Sequence, residues 1–256
     1  MQGKDFKISA ENSAVINDFD LGGGLLVPSS FSRIDNALKE KIESVDGIER
    51  LALVLKACFG TELNFENLND CDFPLVELEE DLFVLELESA NGFKAVEEAK
   101  RPLLIAAVFA SAYADLQIDG NVRLFLPYEY KHFDVLRGAL LAQKTGVPFE
   151  VYVGAKEEDF DKCQKALKDA NCIAISREAV KETMNNFNDY DDYVFDVASA
   201  LGASAFECVE EEGDAPSVIV SVANPLENPL ATLEAFDVKA KDEKDAIKKL
   251  KTLFAL

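Results

Sequence analysis

The chain has no tryptophan, a single histidine, two methionines, and 26 lysines and arginines against 48 aspartates and glutamates. Each shortage excludes a class of function. A net charge of -22 and a pI near 4.4 repel polyanions, so neither nucleic acid nor an anionic membrane surface is expected as a partner. With His132 alone, no Ser-His-Asp arrangement is available and a metal site is not expected. The cysteines, Cys58, Cys71, Cys163, Cys172 and Cys208, are odd in number and none stands in a Cys-x-x-Cys pair. Reduced thiols in a cytosolic compartment are the expectation. Gly22 to Gly24 lack the spacing of a Walker or dinucleotide loop. Leu103 to Ala114, the longest apolar stretch, falls well short of the roughly 20 residues that cross a bilayer. The first residues do not read as a basic, apolar leader, and a cytoplasmic location is expected.

What is present is core. The 256 residues are 48% hydrophobic, enough for one large α/β domain or two modest ones. Leu21 to Pro28 reads as a glycine turn running into an extended segment. Ile34, Leu38, Ile42 and Val45, then Ile48, Leu51, Ala52, Leu55, Cys58 and Phe59 after the capping signal Asp46, recur at helical spacing. Leu75 to Leu78 and Leu82 to Leu87 predict strands separated by Glu79-Glu80-Asp81. A helical stretch from about Phe93 to Leu116 follows, with Leu103 to Ala114 read as buried behind Pro102.

From there strand and helix alternate. Val122 to Leu126, Phe149 to Val153, Cys172 to Ile175 and Ser217 to Val222 predict strands of one mainly parallel sheet. Helices over Phe133 to Thr145, closed by Gly146, and Glu157 to Ala170 lie between them, then two more, with a last amphipathic helix through Ala246, Leu250 and Phe254.

The order of these pieces resembles threonine synthase, a fold type II pyridoxal phosphate enzyme, along nearly the whole chain. Leu21 to Pro28 is similar to the family's Asp-Gly-Gly-Leu-x-x-Pro opening, and Ile48 to Phe59 to its early Leu-Ala helix. Val84-Leu85-Glu86-Leu87 followed by Phe93-Lys94 is similar to its Leu-Glu-Leu-Phe-His-Gly-Pro-Thr and Phe-Lys-Asp. Val122 to Gly138 with Gly146-Val147-Pro148 resembles the Val-Pro-Ser-Gly-Asn-Phe-Gly-Asn segment and its helix. Asp192 to Phe206 resembles the Asp-Pro-His-Thr-Ala-Val-Gly helix, and Val222-Ala223-Asn224-Pro225 resembles Thr-Ala-His-Pro. The resemblance implies an α/β fold like the large domain of that enzyme, with residues 1–61 as a helical region packed on its sheet and the whole of 1–256 one domain. It also implies that the family's small domain is absent between about 95 and 101, where only Arg101 to Leu116 precedes Val122.

The same resemblance assigns Lys94 to the Schiff-base position, although Lys94-Ala95-Val96-Glu97-Glu98 reads equally as the surface of an ordinary helix. The phosphate cradle falls on Tyr128 to Asp134, which contains no glycine and carries Glu129 and Asp134. At about 4 Å and an effective dielectric near 20, each carboxylate opposes a phosphate charge by about 4 kcal/mol. Lys131 and His132 remain there as anion-site candidates, or as plain loop residues. Val222 stands where the family's hydroxyl faces the pyridine nitrogen, unless the alignment slides by one to Ser221. Asn224, Glu227 and Asp196-Val197-Ala198 replace a histidine, a lysine and Asp-Pro-His.

The expectation is therefore a noncatalytic, threonine synthase-like pseudoenzyme that needs no cofactor and binds a protein or small metabolite, with a self-association surface where the small domain is missing. The alternative is a divergent pyridoxal phosphate-dependent lyase using Lys94.

Overall fold

The computed structural model describes residues 31–61, 73–87, 96, 100–167, 170–209 and 215–254, together with the backbone of 6–8 and 26–28. Lys94, Cys71 and the glycine turn at 22–24 lie outside the described residues. The strands β1 (Phe6–Ile8) and β2 (Leu26–Pro28) form a small antiparallel pair. Everything else described is built around a six-stranded sheet.

Its strands are β3 (Leu75–Glu79), β4 (Leu82–Glu86), β5 (Val122–Pro127), β6 (Phe149–Lys156), β7 (Asn171–Ile175) and β8 (Ser217–Ser221), in the spatial order β3-β4-β8-β5-β6-β7. Every neighbouring pair is parallel except the hairpin β3–β4. The four segments expected in one parallel sheet are β5, β6, β7 and β8. At the hairpin turn the acidic run does conformational work: Asp81 takes a φ of 62°, which aspartate tolerates better than most residues.

Both faces of the sheet are covered, which is why its central strands are apolar without interruption. On β5 every residue is buried. Leu124 and Leu126 point to one face with Val151, Val153, Val218 and Val220, whereas Phe125 and Ile219 point to the other. The first face receives α3 (Arg101–Asp115) and α4 (Phe133–Thr145). Pro102 opens α3, where its missing N–H has no helical partner to lose, and the helix is buried nearly all round as a central helix must be. At the end of α4, Gly146 has a φ of 100° and its N–H donates to the carbonyl of Gln143 at 3.0 Å.

The amino-terminal helices α1 (Asn36–Glu43) and α2 (Gly47–Phe59) join the same core through Ile42, Leu51 and Leu55, with Ile34 and Leu38 packed at its margin. Their main seat is α3 and not the sheet itself, because α3 is interposed between them and the strands. Asp46 precedes α2 in an extended conformation without a side-chain cap bond. The nearly buried Arg50 supplies the anchor instead, donating to the Val45 carbonyl at 2.6 Å and pairing with Asp115 on α3.

The opposite face is covered by α6 (Arg177–Asp191) and α7 (Ser199–Cys208). Between β6 and β7 the expected helix over 157–170 is shorter. Glu157–Asp159 wind as a 3-10 turn, α5 spans Phe160–Ala166, and Leu167 leaves helical geometry to bury its side chain. The carboxyl-terminal pair, α8 (Pro229–Ala235) and α9 (Glu243–Leu253), encloses a separate small cluster of Leu233, Ala246 and Leu250.

Candidate functional site

Strand order dictates where a crevice must open. The chain leaves β5 toward β6 and β7 on one side, while β8 lies on the other, so the loops following β5 and β8 diverge above the carboxyl ends of the strands. A cavity of about 230 Å³ lies there. The β5 loop contributes Glu129, Lys131 and His132, and the end of β6 contributes Lys156. The turn into α7 supplies Asp196, Val197 and Ala198, and the β8 loop supplies Ala223, Asn224, Glu227 and Asn228.

Its acidic floor is built by a hydrogen-bond relay. Asp196, only 5% exposed, accepts from the backbone N–H of Ala198 at 2.7 Å and of Ser199 at 3.2 Å, and from the Ser199 hydroxyl. The Ser199 Oγ in turn accepts from the N–H of Val222 at 2.8 Å, which ties the end of β8 to the start of α7. Burial raises the Asp196 carboxyl to a pKa of about 6 against these hydrogen bonds, and the charge of Glu227 pushes the same way.

The basic side of the cavity is thin. Lys156 donates to Glu129 Oε2 at 3.0 Å, so its charge is matched within the lining. Lys131 is exposed on the rim. His132 is pushed below its usual value mainly by burial, with Lys131 adding to the effect and Glu129 and Glu227 opposing it, so the ring is neutral at pH 7. Asp134 faces Arg137 at 3.2 Å and does not line the cavity. Among the described residues no group of three or more His, Cys, Asp or Glu side chains is arranged to hold a metal. No described helix is long and apolar enough to cross a membrane.

Sequence positions far apart thus meet at one place: Lys131, His132, Asp196, Val197, Ala198, Asn224 and Glu227 all line the cavity. Val222 does not. Its side chain is turned into the apolar core, and Ser221 at the neighbouring position is also buried, outside the lining. Lys156, Asn228 and the supporting Ser199 are additions from the structure. Lys156 could have been sought by asking which residue ends each parallel strand, since that is where such crevices are lined.

No protein-family model and no curated protein matches the chain. Solved structures do. Threonine synthase from Escherichia coli aligns with a TM-score of 0.66 over 91% of this chain and 91% of that one, at 13% sequence identity. Pyridoxal phosphate-bound threonine synthase from Brucella melitensis aligns with a TM-score of 0.65 over 95% of this chain and 91% of that one, also at 13% identity. At that identity the likeness is one of fold, and the fold of this chain is that of the threonine synthases.

Proposed function

We propose that the chain is a noncatalytic binding or regulatory protein that retains the threonine synthase architecture without pyridoxal phosphate chemistry. The observation that carries this reading is the charge of the crevice. Glu129, Asp196 and Glu227 line it, the partly exposed cation Lys156 is matched by Glu129, and Lys131 stands on the exposed rim. A phosphate needs converging donors, which glycines at a helix amino terminus usually supply by letting the backbone approach. Here the loop 128–132 has no glycine, and it adds a carboxylate, Glu129, to the lining. The residues do not fit the phosphate of pyridoxal phosphate, and a doubly anionic substrate would meet the same repulsion.

In this reading 1–256 is one unit from which the family's small domain is missing, and the crevice is open to a protein or small metabolite. Fold likeness to a pyridoxal phosphate-bound enzyme favours the competing reading, a divergent lyase with Lys94 as its Schiff-base lysine. Titration with pyridoxal phosphate, followed by absorbance and borohydride trapping on the natural chain and Lys94→Ala, separates the two. Weak labelling spread over several lysines and unchanged by the substitution is expected. Saturable labelling at low micromolar cofactor that disappears in Lys94→Ala would overturn the proposal.

A further inference from the structure

Away from the crevice, two thiols meet between α5 and the edge strand β7. Cys163 on α5 is fully buried, and Cys172 on β7 is half-buried. Their sulfurs lie 2.8 Å apart, with the Cys163 thiol donating to Cys172. Ordinary packing of two small apolar side chains would hold their atoms about 3.5–4.0 Å apart. This pair is closer than packing requires and within about 0.8 Å of a covalent S–S separation. The chain between them is short, so a bond would close a small loop. The other described thiols, Cys58 on α2 and Cys208 at the end of α7, belong to different elements.

We infer that Cys163 and Cys172 form a reversible disulfide in response to peroxide, a modification site that fastens α5 to the edge of the sheet. The roles of the two sulfurs differ. Cys172 is the more accessible, and the hydrogen bond from Cys163 lowers its pKa, burial opposing; the same hydrogen bond, then burial, raises Cys163. The Cys172 thiolate attacks one peroxide oxygen, the O–O bond breaks, and the departing hydroxide takes a proton to leave as water. The sulfur of Cys163 then attacks the Cys172 sulfenic acid, the S–O bond breaks, and a second water leaves with the Cys163 proton. Two thiols are oxidised to one disulfide and one peroxide is reduced to two waters.

Tyr128, one residue before Glu129, packs against the core that contains Cys163.

The test uses the natural full chain, purified reduced, treated with hydrogen peroxide, alkylated and mapped by mass spectrometry before and after dithiothreitol. The expected result is a peptide linked through Cys163 and Cys172, a chain lighter by two hydrogen atoms, full reversal by dithiothreitol, and a melting temperature higher by on the order of 5 °C in the oxidised form. Cys163→Ser should leave a dimedone-reactive sulfenic acid at Cys172, whereas Cys172→Ser should leave none at Cys163. Alkylation of both thiols after peroxide, a sulfinic acid at Cys172 with no link, or a link through Cys71 or Cys208 instead would each overturn the inference. Because the mapping is done on the natural chain, a variant that fails to fold does not remove the test.

Discussion

The body of α7 and the turn that leads into it meet the same sheet under different tolerances. Along the body, Ala200, Leu201, Gly202, Ala203 and Ala205 let helix and strand backbones come close enough that a Cβ built on Gly154 would sit 1.9 Å from the carbonyl oxygen of Leu201. One turn earlier, Asp196 to Ala198 line an open cavity of about 230 Å³ that also receives Glu129, Glu227, Lys131 and Lys156. The contrast teaches that small-residue packing and rim chemistry are separable. The first fixes how closely helix and sheet approach; the second leaves room for polar side chains.

Gly154→Ala attacks the tight region and carries the largest expected effect. Its methyl group meets backbone on the facing helix, which cannot rotate away, so a loss of about 3 kcal/mol or more is expected in urea unfolding. A midpoint near that of the natural chain would mean that α7 floats on the sheet and would dissolve the comparison.

The next effect belongs to the relay between the two regions. Because the folded pKa of Asp196, about 6, lies above its ordinary 3.8, the native state holds this proton more tightly than the unfolded state. Stability is therefore fully present below about pH 4 and is lost as pH rises through 6, by about 3 kcal/mol from this group alone. Asp196→Asn should flatten that part of a stability-against-pH curve. An unchanged slope would place the carboxylate in water.

Ser199→Ala tests the same relay from its other side. It removes an acceptor from the buried N–H of Val222 and a donor from Asp196, for an expected loss of about 1–3 kcal/mol in the same unfolding experiment. A neutral result would mean that β8 and α7 are held together by packing alone.

The smallest stability change is expected at the rim. Glu129→Gln dissolves a partly exposed ion pair with Lys156 and should cost less than about 1 kcal/mol. Its value is in binding. Combined with Glu227→Gln, it removes two carboxylates from the lining, and inorganic phosphate measured by calorimetry should bind about tenfold more tightly than to the natural chain. Equal affinities would show that the rim charges do not govern anion binding.

These two regions were not equally readable. The strands were legible because β5 and β8 are apolar runs of strand length, and α4 because Gly146 marks its end. The sequence predicts β6 to end at Val153, where strict alternation stops. The strand continues through Gly154 and Ala155, whose small size answers to α7 and leaves no trace in local periodicity. That shortfall also hid Lys156. In the same way Ser199 looks like any serine opening a helix until β8 brings the N–H of Val222 to it. Lys131, His132, Asp196, Asn224 and Glu227 were placed by order along the chain, through resemblance. What unites them is a strand order no local pattern encodes.

The edge of the sheet at β3 has a bearing on behaviour at high concentration. Its outermost strand exposes Glu77 and Glu79, and the register with β4 shifts between them. A second copy approaching strand to strand would bring carboxylates against carboxylates on an irregular ladder, where main-chain pairing cannot lengthen. Growth of a continuous intermolecular sheet is thus disfavoured at this border, so the carboxylates and the slipped register guard the hairpin edge against strand-to-strand aggregation.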